Sequence, residues 1–116
     1  EAKVLVLGAT FKENVSDIRN SKVVDIIREL ESFSVHVDVM DPHADAQELN
    51  HEYGFNLVEK PKSGAYDAII LAVAHTNFIG LDETYFQDLL ANGEGVFMDL
   101  KGLYRNKFSK LKYWSL

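Results

Sequence analysis

Apolar positions along the chain fall in short blocks, and the blocks alternate between two periods. Lys3-Val4-Leu5-Val6-Leu7 is an apolar run of strand length. From Ser21 to Ser32, Val23, Ile26, Ile27 and Leu30 recur at i, i+3, i+4 and i+7, with Val24 beside them, and predict an amphipathic helix. Asn20 or Ser21 stands before it with a side chain able to cap the first amides. Val35-His36-Val37-Asp38-Val39-Met40 alternates apolar with polar, as a strand near a sheet edge does, and Asp41-Pro42 stops it. Ala44 to Tyr53 predicts a short helix, Asn56–Val58 a weak strand, and Pro61-Lys62-Ser63-Gly64 a loop. Asp67 to Ala74 is the most apolar run and predicts a central strand covered on both faces. Leu81 to Ala91 predicts a helix that turns Tyr85, Phe86, Leu89 and Leu90 inward and ends at Asn92-Gly93. Gly95 to Asp99 is the last clear strand, and the basic, aromatic tail from Leu103 to Leu116 carries no period that assigns it. Strands alternating with helices predict an α/β fold of three layers, a doubly wound and mostly parallel sheet with helices on both faces.

One connection in this pattern is out of proportion. Fourteen residues, Gly8-Ala9-Thr10-Phe11-Lys12-Glu13-Asn14-Val15-Ser16-Asp17-Ile18-Arg19-Asn20-Ser21, join the first strand to the first helix. Such loops usually run about two to six residues. The carboxyl ends of parallel strands are where α/β sheets hold ligands. Lys12 and Arg19, seven positions apart in that loop, suggest an anion. The plain alternative is a solvated Lys12 and an Arg19 paired with Asp17. Gly8 does not open a Gly-x-Gly-x-x-Gly fingerprint, because Thr10 and Glu13 occupy the other two glycine positions. An ordinary dinucleotide site is therefore not expected. Asp41 stands where a ribose-binding acid would stand, but without those glycines it reads as a strand-ending turn.

Composition narrows the chemistry. A chain of 116 residues fits one compact domain, and its net charge of −6 argues against a nucleic-acid partner. A small phosphate ligand remains compatible, since a local basic pocket can sit on an acidic protein. There is no cysteine, which removes disulfides, thiolate metal sites and a cysteine nucleophile from these residues. No apolar run reaches the ~18 residues of a membrane span and no signal peptide is visible. The lack of cysteine is compatible with a reducing, cytoplasmic compartment, which is the location expected. The start at Glu1, directly before a core strand, reads as a cut.

Three further positions invite attention. Lys101, in Asp99-Leu100-Lys101-Gly102, follows the last clear strand and could join Lys12 over one anion, or lie in a surface turn. His75 ends the central run, where a histidine meets a ligand, shuttles a proton or, in the commoner case, is a hydrogen-bonded structural residue. His36, His43 and His51 share no metal-ligand spacing, and no carboxylate pair has acid–base geometry. Tyr113-Trp114 is expected to pack on the body of the domain.

The loop Gly8–Ser21 resembles the signature that opens the carboxyl-terminal UDP-binding domain of the UDP-glucose/GDP-mannose dehydrogenase family. Ala72-Val73-Ala74-His75 and the ending Tyr113-Trp114-Ser115-Leu116 are similar to the bacterial branch acting on UDP-N-acetylhexosamines. The resemblance covers nearly the whole chain and implies a Rossmann-like fold. It implies that residues 1–116 are one domain of a larger enzyme that oxidises the sugar C6 alcohol to a carboxylate with NAD, for surface polysaccharide synthesis. NAD would be held mainly by a missing amino-terminal domain, and the cysteine nucleophile and dimer contacts supplied by a missing central region. By position, Phe11 and Lys12 match residues on the UDP-sugar, and Arg19 matches an arginine that reaches NAD. Lys101 falls where many members place a substrate-contacting arginine in a strand-Asp-Gly-Arg order, which here is Asp99-Leu100-Lys101-Gly102. No catalytic or metal-binding residue is expected in this stretch, and alone it is expected to be inactive.

Two other classes fit parts of the pattern. A free-standing nucleotide-binding or regulatory module would share the fold, and only the sequence upstream of Glu1 separates it from a dehydrogenase domain. A phosphoacceptor receiver domain would share the βα alternation and the late lysine. It also needs an acidic cluster after the first strand, where Gly8-Ala9-Thr10 stands, and an aspartate where the central run ends in Ala74-His75.

Overall fold

The computed structural model describes residues 2–116. Five strands, β1 (Lys3–Leu7), β2 (His36–Met40), β3 (Ala68–Leu71), β4 (Val96–Asp99) and β5 (Lys112–Ser115), form one sheet in the order β2-β1-β3-β4-β5. Every neighbouring pair is parallel, with Val4 opposite Val37 and Ala68, and Met98 opposite Trp114. The helices are α1 (Val23–Ser32), α2 (Ala46–Tyr53) and α3 (Glu83–Leu89). The chain steps outward from β1 to β2, then crosses back over β1 to β3. The winding therefore reverses between β1 and β3, and the loops that leave the carboxyl ends of those two strands diverge to opposite faces around a crevice.

Alternation along the strands divides the core. Val4, Val6, Val37, Val39 and Ile70 face Val23, Val24 and Ile27 of α1 and Leu49 of α2. Leu5, Leu7, Ile69, Leu71 and Phe97 face Phe86 and Leu89 of α3 and the tail residues Tyr104 and Leu111. β1 and β3 carry buried side chains on both faces, and β2, whose Asp38 interrupts the pattern, lies at the edge. The three expected layers are thus present, and the sheet is wholly parallel.

Element boundaries shift where local chemistry decides them. α1 starts at Val23 rather than Ser21, because the Ser21 hydroxyl accepts from Val23 N at 3.3 Å and so sits outside the helix. α2 and α3 start after Asp45 and Asp82, whose carboxylates accept from Glu48 N and Tyr85 N at 2.9 Å each. The stretch Asn56–Val58 makes a single bridge, Leu57 against Val39, rather than a strand. Too few of its residues lie beside β2 to continue the ladder.

The unassigned tail supplies the fifth strand. Glu83 draws it in by accepting from Ser109 N, Lys110 N and Leu111 N, at 2.7 Å for Lys110. Desolvation raises this carboxyl, but those three amides outweigh it and leave it below its ordinary value. Tyr113 then packs against Phe97 and Phe108 and donates to Asp99 Oδ2 at 2.5 Å. Burial, and then Asp99, push the Tyr113 phenol up to about 12. Trp114, the next residue, points to the other side of β5 and is 46% exposed. Of the aromatic pair, the tyrosine is therefore the one that packs.

Candidate functional site

The site is built from the loops that follow β1, β2, β3 and β4. Gly8 leaves β1 at φ +92 and donates to Met40 O at 2.8 Å, which holds it between β2 and β3. Asp41 ends β2 and is buried. Its Oδ2 accepts from Ala9 N at 2.7 Å and Thr10 N at 3.3 Å, and its Oδ1 from His43 N at 2.8 Å and Ala44 N at 3.0 Å. One carboxylate thus fastens two loops. Burial pushes it up, but the hydrogen bonds from His75, Ala9 and His43 outweigh burial and hold it below the ordinary value. The turn expected at Asp41-Pro42 is present. With both oxygens already engaged by main-chain donors, Asp41 has no acceptor to offer a ribose.

His75 is fully buried beside it. Its Nε2 lies 3.0 Å from Asp41 Oδ2 and 3.2 Å from Thr10 Oγ1, while its Nδ1 accepts from Asn14 N at 2.8 Å. An Nδ1 that accepts carries no proton, so Nε2 is the protonated nitrogen of a neutral ring. This is the hydrogen-bonded structural histidine that frequency favours. Asn14 completes the fastening: it takes a left-handed φ of 61, and its Oδ1 accepts from Thr76 N at 3.0 Å. Thr10 Oγ1 donates to Lys12 O at 2.9 Å. Residues 10–14 are therefore tied to the end of β3, and Lys12 sits in the middle of the tied segment.

That segment walls a cleft of about 330 Å³ at the crevice between β1 and β3. Phe11 and Lys12 enter from the first loop and Lys101 from the loop after β4, with Ala72 and Val73 as the floor. Phe11 is 54% exposed. Asp99 shapes the Lys101 loop by accepting from Lys101 N at 3.2 Å and Tyr104 N at 2.7 Å. Lys12 and Lys101, far apart in sequence, thus line one space. Asn20 and Lys22, at the entrance to α1, line it too. Sequence patterning gives no reason to single out Lys22 beyond one signal: a cation at the start of a helix opposes the helix dipole.

Arg19 does not line this cleft. Its guanidinium side chain is 82% exposed and meets Asp17 at 3.1 Å, the local pairing that was the plain alternative for it. It borders a second, polar depression with Ser16, His43 and Glu48. The loop 8–21 therefore turns Lys12 to one side and Arg19 to another. Among the described residues no group of His, Cys, Asp or Glu could hold a metal ion, and no helix is long and apolar enough to cross a membrane.

These features define the chain as a Rossmann-like α/β domain whose cationic cleft opens at the point where the winding reverses. Residues 5–106 match the sequence model of the UDP-glucose/GDP-mannose dehydrogenase family, UDP binding domain. The chain belongs to that family. It is 48% identical over 111 residues to a UDP-N-acetyl-D-glucosamine 6-dehydrogenase of Pseudomonas aeruginosa, covering 96% of this chain and 26% of that protein. A second enzyme of that name, from Salmonella typhi, is 51% identical over 77 residues, covering 66% of this chain and 18% of the other. The solved UDP-N-acetyl-mannosamine dehydrogenase Cap5O of Staphylococcus aureus superposes with a TM-score of 0.75 at 27% identity, over 99% of this chain and 26% of that one. The chain thus spans about a quarter or less of the relatives it matches.

Proposed function

We propose that the chain is the UDP-sugar-holding domain of an NAD-dependent nucleotide-sugar dehydrogenase. The substrate would be a UDP-N-acetylhexosamine, oxidised at C6 to the uronate for surface polysaccharide. The observation that carries this reading is the convergence of Phe11, Lys12 and Lys101 on one cleft at the carboxyl edge. The names of the relatives supply the substrate class. Phe11 offers an exposed ring to the base or sugar, and Lys12 and Lys101 offer point charges to phosphate. Binding energy gathered at the nucleotide, far from C6, then positions the sugar for chemistry in the remainder of the enzyme.

NAD does not fit this chain as its own ligand. The phosphate-binding glycines are missing, and the acid at the ribose position is engaged internally. Arg19 would be this domain's single contribution, reaching a dinucleotide held by another domain. Its surface pair with Asp17 is weak enough to exchange for a phosphate. No residue here is assigned a chemical step.

Titration of the purified chain with UDP tests the reading. Lys12→Ala is expected to weaken UDP binding about tenfold, the scale of one charge-assisted contact. An unchanged affinity removes Lys12 from the site. The purified chain mixed with NAD and UDP-N-acetylglucosamine is expected to produce no absorbance at 340 nm. Measurable NADH would overturn the assignment of all chemistry to other domains.

A further inference from the structure

The cleft holds one cation that the reading above leaves unused. Lys22 immediately precedes α1 and lines the cleft together with Lys12 and Lys101. None of the three enters an ion pair among the described residues, although the chain carries a net charge of −6 and carboxylates are plentiful. Glu13 is the single carboxylate side chain that shares the lining. Three lysine side chains against one glutamate side chain make the side-chain lining predominantly cationic on an otherwise acidic molecule, with Leu116 also at its edge.

Lys22 stands there against its local interest. It stands at the very start of a ten-residue helix, with helical backbone angles of φ −72° and ψ −16°. There the positive end of the helix dipole repels an ammonium. Ser21, one residue earlier, already supplies the hydroxyl that Val23 N requires. A residue that breaks a local rule without a structural return marks a functional position.

We propose that Lys22 is a third phosphate-binding cation of this cleft, contacting the diphosphate of the nucleotide from the α1 side while Lys12 and Lys101 contact it from the strand-loop side. The inference rests on the cleft being the UDP site. A diphosphate, unlike a monophosphate, presents enough oxygens for cations on several walls. Lys22 then adds affinity that scales with the number of phosphates and leaves uridine recognition untouched.

Calorimetric titration of the chain with UDP, UMP and uridine tests this, using the wild type, Lys22→Gln, Lys22→Arg and Lys12→Ala. Lys22→Gln is expected to weaken UDP about five- to tenfold, to weaken UMP less, and to leave uridine unchanged. It should also lower the salt dependence of UDP binding. Lys22→Arg should retain most of the affinity. Urea unfolding of Lys22→Gln should be unchanged or slightly more resistant, because a charge opposing the dipole has been removed. Unchanged UDP affinity in Lys22→Gln alongside weakened binding in Lys12→Ala overturns the role of Lys22 and leaves the UDP site standing. An equal loss for uridine and UDP also overturns it, since a distorted fold would do that. A wild type that binds no UDP overturns the site itself, and Lys22 with it.

Discussion

Asp41→Asn is expected to destabilise the domain by about 2–6 kcal/mol and to weaken nucleotide binding with it. The substitution preserves shape and removes an acceptor. The carboxylate receives Ala9 N and Thr10 N on one oxygen and His43 N and Ala44 N on the other. An amide can keep one of those pairs. Its NH2 must then face the other pair, donor against donor, in a buried site. Each orphaned donor costs about 1–3 kcal/mol, so two set the expected range. Urea unfolding measures the loss, and a change under 1 kcal/mol would show that the two loops do not depend on this carboxylate.

The same residue gives a pH dependence with a definite sign. In the folded protein Asp41 titrates below its ordinary value. The unfolded chain therefore takes up the proton first as pH falls. Asp41's stabilisation is complete above the ordinary carboxylate range of about pH 4 and is lost as pH drops through the lower folded value. The stability gap between wild type and Asp41→Asn should accordingly be constant from pH 8 to about pH 5 and narrow below about pH 4. A gap that widens on acidification would contradict the hydrogen-bond assignment.

Gly8→Ala is the second large effect, expected to cost about 2–4 kcal/mol. At φ +92 an L side chain is strained wherever it points. Here it also has nowhere to go, because the new Cβ would lie 2.5 Å from Val73 Cβ and 2.9 Å from Val73 N. Neither neighbour is the free end of a flexible chain. Ala72 N and Val73 N both donate to Leu7 O, so relieving the clash means pulling β1 and β3 apart at the floor of the cleft. Gly54→Ala is the control: it shares the left-handed backbone at φ +74 but meets nothing within 4 Å. Equal losses in the two variants would mean that backbone strain alone, and not the contact with Val73, governs Gly8.

What could be read from the sequence was what local pattern controls. The apolar runs of β1 and β3 and the 3.6-residue period of α1 need no partner to be recognised, and their alternation implies a parallel sheet without fixing the order of its strands. β5 was illegible for the opposite reason. Tyr113 is inward because Phe97, Phe108 and Asp99 await it, and a tail with one inward aromatic shows no period of its own. At the site, the oversized loop and its Lys12 were visible as composition in an expected place. The joint between Asp41, His75 and Asn14 was not, since its members lie 34 and 61 residues apart in pairs. Lys101 could be nominated from its place after a strand, but its meeting with Lys12 depended on which strands neighbour β1.

The loop between β1 and α1 is fastened at its centre and works on two sides, with Lys12 turned to the cleft and Arg19 turned to the second depression. Any coupling between ligands that draw on its two sides would pass through this one mechanical element, and it would be reciprocal. The factor by which one tightens the other must equal the factor in the reverse direction. Order of arrival then changes the path and leaves the final affinity unchanged, and Asn14, which lines neither the cleft nor the second depression, is the fastening through which such a coupling would run.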